Sequence, residues 1–190
     1  MTAPDVHSDV LPRCGWATSA PDYVVYHDEE WGRPLRGERN LFERMSLEAF
    51  QSGLSWLVIL RKRTNFRAAF ADFEPATVAA FGEVDRERLL ADAGIVRNRA
   101  KIDATIANAR AVLELDRPLD ELLWSFAPER HVRPATLADV PATSPESTAM
   151  AKELKRRGFR FVGPTTAYAL MQATGLVDDH VATCFRSMPD

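Results

Sequence analysis

Apolar residues recur at helical intervals along most of this chain. Leu41, Met45, Phe50, Leu54, Leu57 and Leu60 form one run starting near Asn40, with Trp56, Val58 and Ile59 between them. That density predicts helix buried on most sides. Phe66, Phe70 and Phe73 extend the pattern until Pro75 breaks it. Val78, Phe81, Leu89, Leu90 and Ile95 predict short helices with turns at Gly82 and Gly94. Ile102, Ile106, Ala109, Val112 and Leu113 make the cleanest amphipathic stripe, which Pro118 closes. Residues 127–146 hold four prolines and no period, and read as a long loop. Ser144 is then a fitting N-cap, with Pro145 at the first helical position and Gly158 as the stop. A tight turn at Val162–Gly163–Pro164 leads into a last helix toward Gly175. No alternating pattern is long enough for a strand, and no repeat is present, so an all-α fold is expected.

Composition narrows the class. The chain has 190 residues, 46% hydrophobic and 27% charged, which suits one domain or two small lobes sharing a cleft. Residues 1–12 read as a flexible extension and 13–190 as a single unit. The longest strongly apolar run, Trp56–Leu60, falls far short of the roughly 20 residues a membrane span needs. The N-terminal stretch has neither a basic region nor an apolar core, so a signal peptide is not expected and a cytoplasmic location is. A net charge of −3 does not advertise a nucleic-acid partner, but local patches decide such binding, not the sum.

Three groups of residues carry chemistry. The two cysteines, Cys14 and Cys184, each have a histidine within reach along the chain, His27 and His180. Thiolate and neutral imidazole are preferred zinc ligands, four to a closed structural site. Such a site would clip the chain ends together, and if the last segment is helical His180 and Cys184 share one face. The alternative is two ordinary buried thiols and two hydrogen-bonded histidines. His7 and His131 lie in loop contexts and are expected to face solvent.

The second group is KRRGFRFVGPTTA, residues 155–167. Lys152, Lys155, Arg156, Arg157 and Arg160 place five cations in nine residues, with Glu153 opposing. A turn containing Gly163 and a helix start carrying Thr165 and Thr166 would present N–H and hydroxyl groups to an anion. A helix-hairpin-helix grips a DNA phosphate this way, without reading sequence. A solvated helix face followed by an ordinary turn is the other reading. The third group is Glu48, inside the most apolar stretch of the chain. A carboxylate there needs a partner or a task. Trp16, Tyr23, Tyr26, Trp31 and Trp56 are available to build a pocket around it for a flat, cationic or amide-bearing ring. Otherwise Glu48 sits on the exposed side of its helix beside an aromatic core.

Taken in order, RCGWA, YVVYHDEEWGRP, LFERMSLEAFQSGLSWLVILRKR, AGIVRNRAKI and KRRGFRFVGPTTAYALMQATGLVDDHV resemble the bacterial type I 3-methyladenine DNA glycosylases, a branch of the helix-hairpin-helix glycosylases. The resemblance runs from about Arg13 to Cys184. It implies a structural zinc ion on Cys14, His27, His180 and Cys184. It implies that Glu48 contacts the excised base, that Tyr26 and Trp56 wall the pocket, and that Tyr23 and Trp16 line it. Gly53 and Leu54 fall where the family fills the gap in the opened duplex, and GFRFVG falls on the hairpin. The implied partner is double-stranded alkylated DNA, with no membrane, and a monomer is expected.

The implied activity is excision of 3-methyladenine by base flipping and hydrolysis of the N-glycosidic bond. Superfamily members that also cut the strand carry a lysine two residues after the hairpin glycine. This chain has Thr165 there, so a monofunctional enzyme is expected. Asp178 stands where the family usually has Asn. It is either a second catalytic carboxylate or a neutral change at a helix start. The rival to the whole reading is a zinc-stabilised DNA-binding module without chemistry.

Overall fold

The computed structural model describes residues 11–186. His7 and nearly all of the expected N-terminal extension lie outside that range. Nine α-helices form among the described residues, and no strand does. They are α1 (Pro21–Glu29), α2 (Glu38–Gln51), α3 (Trp56–Ala69), α4 (Pro75–Ala79), α5 (Glu83–Ala91), α6 (Arg99–Leu113), α7 (Leu119–Trp124), α8 (Pro145–Arg156) and α9 (Pro164–Ala173). None is long and apolar enough to cross a membrane.

α2 is the central helix, packed by α3, α6, α7 and α9. Leu41, Phe42, Met45, Leu47 and Phe50 are fully buried. A side chain as large as Phe50 in such a place contributes about 3–5 kcal/mol relative to alanine. Burying so much of one helix leaves its polar residues buried too, and Arg44, Ser46 and Glu48 are all 8% exposed or less. α6 starts where Asn98 caps the N–H of Lys101. α8 starts where Ser144 caps the N–H of Ser147, with Pro145 in the first turn. α8 and α9 pack together as a helical hairpin joined through residues 157–163. Residues 127–146 are irregular apart from one 3₁₀ turn at Leu137–Asp139 and the start of α8 at Pro145.

One expectation from periodicity is corrected. The apolar run 41–60 is two helices, not one. The chain turns at Ser52–Ser55, where Gly53 has φ +82° in the left-handed region that favours glycine. Periodicity misses the break because Leu54 and Leu57 keep an apolar rhythm across it. The segment 175–184, whose state the sequence left open, is irregular, so His180 and Cys184 do not share a helix face. The Arg133 guanidinium takes the carbonyls of His180 (2.9 Å) and Val181 (3.0 Å), and the N–H of Ala182 donates to the carbonyl of Pro134. Cross-chain partners thus replace an internal ladder.

Candidate functional site

A cavity of about 500 Å³ opens between α1, α2, the start of α3 and the C-terminal segment. Trp16, Tyr23, Tyr26, Trp31 and Trp56 form its walls, with Ser19, Glu48, Gln51, Gln172 and Asp179 as polar members. The rings sit in mutually favourable poses: Tyr26 and Trp56 at 5.5 Å, Trp16 edge-on to Tyr23 at 5.5 Å and to Trp31 at 5.1 Å. The Tyr23 hydroxyl accepts from the N–H of Leu57 (2.8 Å), tying α1 to the unsatisfied first turn of α3. A flat ring entering here meets aromatic faces and, on α2, one carboxylate.

Glu48 is 5% exposed, which excludes the open helix face. Among the described residues no donor bonds its carboxylate; burial pushes its pKa up to about 7, and the Arg44 charge one turn earlier works the other way. Burial also raises the Tyr26 phenol, whose oxygen accepts from Arg44 Nη1 at 2.6 Å. The wall therefore offers an unmet acceptor close to its protonation midpoint at neutral pH.

Sequence reasoning missed four polar cavity residues, Ser19, Gln51, Gln172 and Asp179. Gln51 follows Glu48 by three positions on α2, so helical spacing placed it on the same face. Gln172 and Asp179 gave no such signal. Asp179 is 2% exposed and accepts from Tyr168 Oη (2.7 Å), Gln172 Nε2 (2.8 Å) and His131 Nε2 (2.9 Å). His131 does face solvent, but one ring nitrogen is spent on this buried acid. Asp178 is not a cavity residue. Its Oδ1 accepts from the N–H of His180 and its other oxygen lies 3.4 Å from Arg133, at no helix start.

Beside the cavity, Cys14, His27, His180 and Cys184 are all buried, with ligand atoms within 4.8 Å of one another. His27 Nε2 and His180 Nδ1 are 3.2 Å apart, Cys184 Sγ and His27 Nε2 3.4 Å, and each Sγ lies 3.7 Å from His180 Nδ1. The outer nitrogens are held as ligand rings require: His27 Nδ1 by Asp28 at 2.8 Å, His180 Nε2 by the Trp31 carbonyl at 3.2 Å. Gly32 permits that approach, since a Cβ there would lie 2.8 Å from His180 Nε2. Burial lowers both histidines, His180 to about 4, and raises Cys14 to about 11. Burial thus favours the neutral forms of Cys14, His27 and His180, and a divalent ion reverses that preference for a thiol. The cluster can hold a metal ion. It also supports the cavity: Trp16 rests on His27 (5.3 Å) and Trp31 on His180 (4.7 Å).

The hairpin departs from its expected charge. Arg156 and Arg157 both pair with Glu153, and Arg157 also with Asp116, an acid 41 positions earlier. Of the five cations, Lys152, Lys155 and Arg160 are exposed and make no ion pair with a described residue. Gly163 and Thr165 are exposed at the start of α9. Gly53 and Leu54 lie at the tip of the turn joining α2 to α3, with Leu54 38% exposed.

Residues 16–187 match the profile of a family described as methyladenine glycosylase. The chain is 48% identical over 179 residues to DNA-3-methyladenine glycosylase 1 of Escherichia coli K12, covering 92% of this chain and 96% of that one. It superposes on a crystal structure of 3-methyladenine DNA glycosylase I with TM-score 0.89, at 46% identity over 94% of this chain and all of that one. The Staphylococcus aureus 3-methyladenine DNA glycosylase I, studied for its recognition of 3-methyladenine, aligns with TM-score 0.88 at 34% identity, covering 94% and 97%.

Proposed function

This chain belongs to the methyladenine glycosylase family, and from that we propose that it excises 3-methyladenine from alkylated double-stranded DNA and leaves an abasic site. The observation that carries the reading is the buried Glu48 carboxylate, without a donor of its own, in the wall of an aromatic cavity.

A base inside a duplex is out of reach, so it must be everted, at a cost of a few kcal/mol that is smaller for a damaged base. Methylation at N3 makes the adenine cationic and weakens its bond to the sugar. Tyr26 and Trp56 stack on such a ring and attract its charge. Glu48 accepts a hydrogen bond from the exocyclic amine, which guanine lacks at that position. Water then bonds to the sugar carbon as the C–N bond breaks; the cationic base takes the bonding electrons and leaves as neutral 3-methyladenine, and the water gives up one proton to solvent. Gly53 and Leu54 fill the space the base vacates. Gly163, Thr165 and Arg160 hold the strand by its phosphates. Thr165 supplies no amine for a Schiff base, so the strand stays uncut.

The ion in the clasp is zinc, in a structural role. Tetrahedral zinc with two sulfur and two nitrogen ligands spaces those atoms by roughly 3.3–3.8 Å, close to the separations found here. Four protein ligands leave no open position for chemistry. The protein acts as a monomer in the cytoplasm.

Incubating the protein with methylated duplex DNA and identifying the released bases tests the reading. Free 3-methyladenine with an unbroken strand is the expected result. Glu48→Gln keeps duplex binding and loses release. A parent protein that binds the duplex and releases nothing is a DNA-binding module instead.

A further inference from the structure

Arg44 has no part in the scheme above, yet it is buried to 8% exposure directly behind the base cavity. It sits one turn before Glu48 on α2. Its Nη1 donates to Tyr26 Oη at 2.6 Å, and its Nη2 lies 3.3 Å from Glu30 Oε2. The guanidinium is 5.4 Å from the Tyr26 ring centre and 5.8 Å from that of Trp56. One side chain therefore touches or faces both wall rings without itself lining the cavity. A buried arginine is costly unless its charge is used. Glu30 uses part of it, but Glu30 is already engaged by Arg63 through both oxygens.

We propose that Arg44 is a positioning residue for the base site, which anchors the Tyr26 wall and supplies the fixed positive charge that favours the anionic form of the buried Glu48 carboxylate. This rests on the reading of Glu48 given above. Among the described residues Arg44 is the cation that acts on Glu48; the buried Lys101 of α6 is spent on the carbonyls of Phe50 and Ser52 at the end of α2. On α2 the nearer charges are Arg44 itself and Glu43, which pairs with Arg67 of α3. On α1 they are Glu30 and the Tyr23 and Tyr26 phenols. On α3 Arg63 is committed to Glu30. From the C-terminal segment Asp179 lines the cavity, with its oxygens spent on Tyr168, Gln172 and His131. Burial alone favours the neutral acid, and Arg44 is the charge that opposes it. Glu30, on the other edge of the guanidinium, limits how much positive charge a cationic base meets.

The test is the titration of the Glu48 side-chain carboxyl, followed by carbon-13 NMR in the full chain without substrate. Arg44→Gln keeps a donor for Tyr26 and removes the charge. Its midpoint is expected to rise by about one pH unit, a tenfold change in proton affinity. Arg44→Lys keeps the charge and should stay within a few tenths of a unit of the parent. Glu30→Gln leaves Arg44 in place and frees its charge, so the midpoint should fall. A folded Arg44→Gln protein that titrates with the parent overturns the proposal. Should that variant not fold, a Glu30→Gln midpoint equal to or above the parent's overturns it as well. Single-turnover excision against pH should move its acid limb upward in Arg44→Gln by the same amount. If the parent releases no 3-methyladenine the glycosylase reading fails, while the substrate-free titration still judges Arg44.

Discussion

Asn108 and Arg160 hold each other by a reciprocal pair of hydrogen bonds. The Asn108 side-chain amide donates to the Arg160 carbonyl at 3.0 Å, and the Arg160 N–H donates back to Asn108 Oδ1 at 2.7 Å. Asn108 is 1% exposed on α6, so a core helix fixes the backbone of the α8–α9 hairpin. Asn108→Ala leaves two backbone groups unpaired and should cost about 1–3 kcal/mol in stability. Affinity for lesion-bearing duplex should fall at least several-fold, while free 3-methyladenine binds as before. Duplex and base titrations on the same sample check this. An equal loss in both would tie the hairpin to the pocket.

Lys101 plays a similar part for the turn between α2 and α3. Its Nζ donates to the carbonyls of Phe50 (2.9 Å) and Ser52 (2.6 Å), capping the C-terminal end of α2. Gln51 Nε2 adds a bond to the Leu54 carbonyl. Lys101→Met removes the cap and should lower single-turnover excision from duplex by about tenfold or more, with base binding unchanged. A rate within twofold of the parent would show that the turn needs no such support.

Glu48 links function to stability. Its folded pKa, about 7, lies above the ordinary glutamate value of 4.5. A raised pKa means the fold prefers the protonated acid, so this contribution is full below about 4.5 and fades as pH rises through 7. Glu48→Gln should therefore be more stable than the parent at pH 8, by on the order of 2 kcal/mol, with the gap closing by pH 5. Denaturant melts of both proteins at the two pH values test the sign. Parent activity should fall over the same interval as the carboxylate is protonated.

Removing the metal should loosen the protein, not merely silence it. With the ion gone, buried thiols and imidazoles at 3.2–3.7 Å lose their common partner. A strong chelator should lower the melting temperature by roughly 10 °C, from a loss of a few kcal/mol. Because Trp16 and Trp31 lean on His27 and His180, tryptophan fluorescence should change with it. An unchanged melt after verified metal loss would rule out a structural ion.

Asp178→Asn should leave single-turnover excision unchanged. Asparagine keeps an oxygen for the His180 N–H and gives up only a part-buried pairing with Arg133 at 3.4 Å, about 1 kcal/mol or less. A clear loss of rate would revive a second carboxylate in the chemistry.

The sequence alone determined most of the helices, because repeated burial of one face leaves a mark at every third or fourth residue. The stripe of Ile102 to Leu113 and the Ser144–Pro145 start are local facts, and the helices follow them. It also supplied, through long collinear motifs, the family and the residues to inspect. What it did not contain was anything set by groups distant in the chain. Whether Glu48 faced water or the core depended on α3 and α9 closing over α2. The turn at Ser52–Ser55 takes a bond from Lys101, 49 positions from Ser52. His180 and Cys184 meet their partners because Arg133 and Pro134 hold an irregular segment in place, not because a helix aligns them. The loss of two hairpin cations to Glu153 and Asp116, and the network around Asp179, are of the same kind. Periodicity records the average environment of a helix face. Charge state, hydrogen-bond partners and cavity walls are set by particular neighbours, and only the tertiary structure names those.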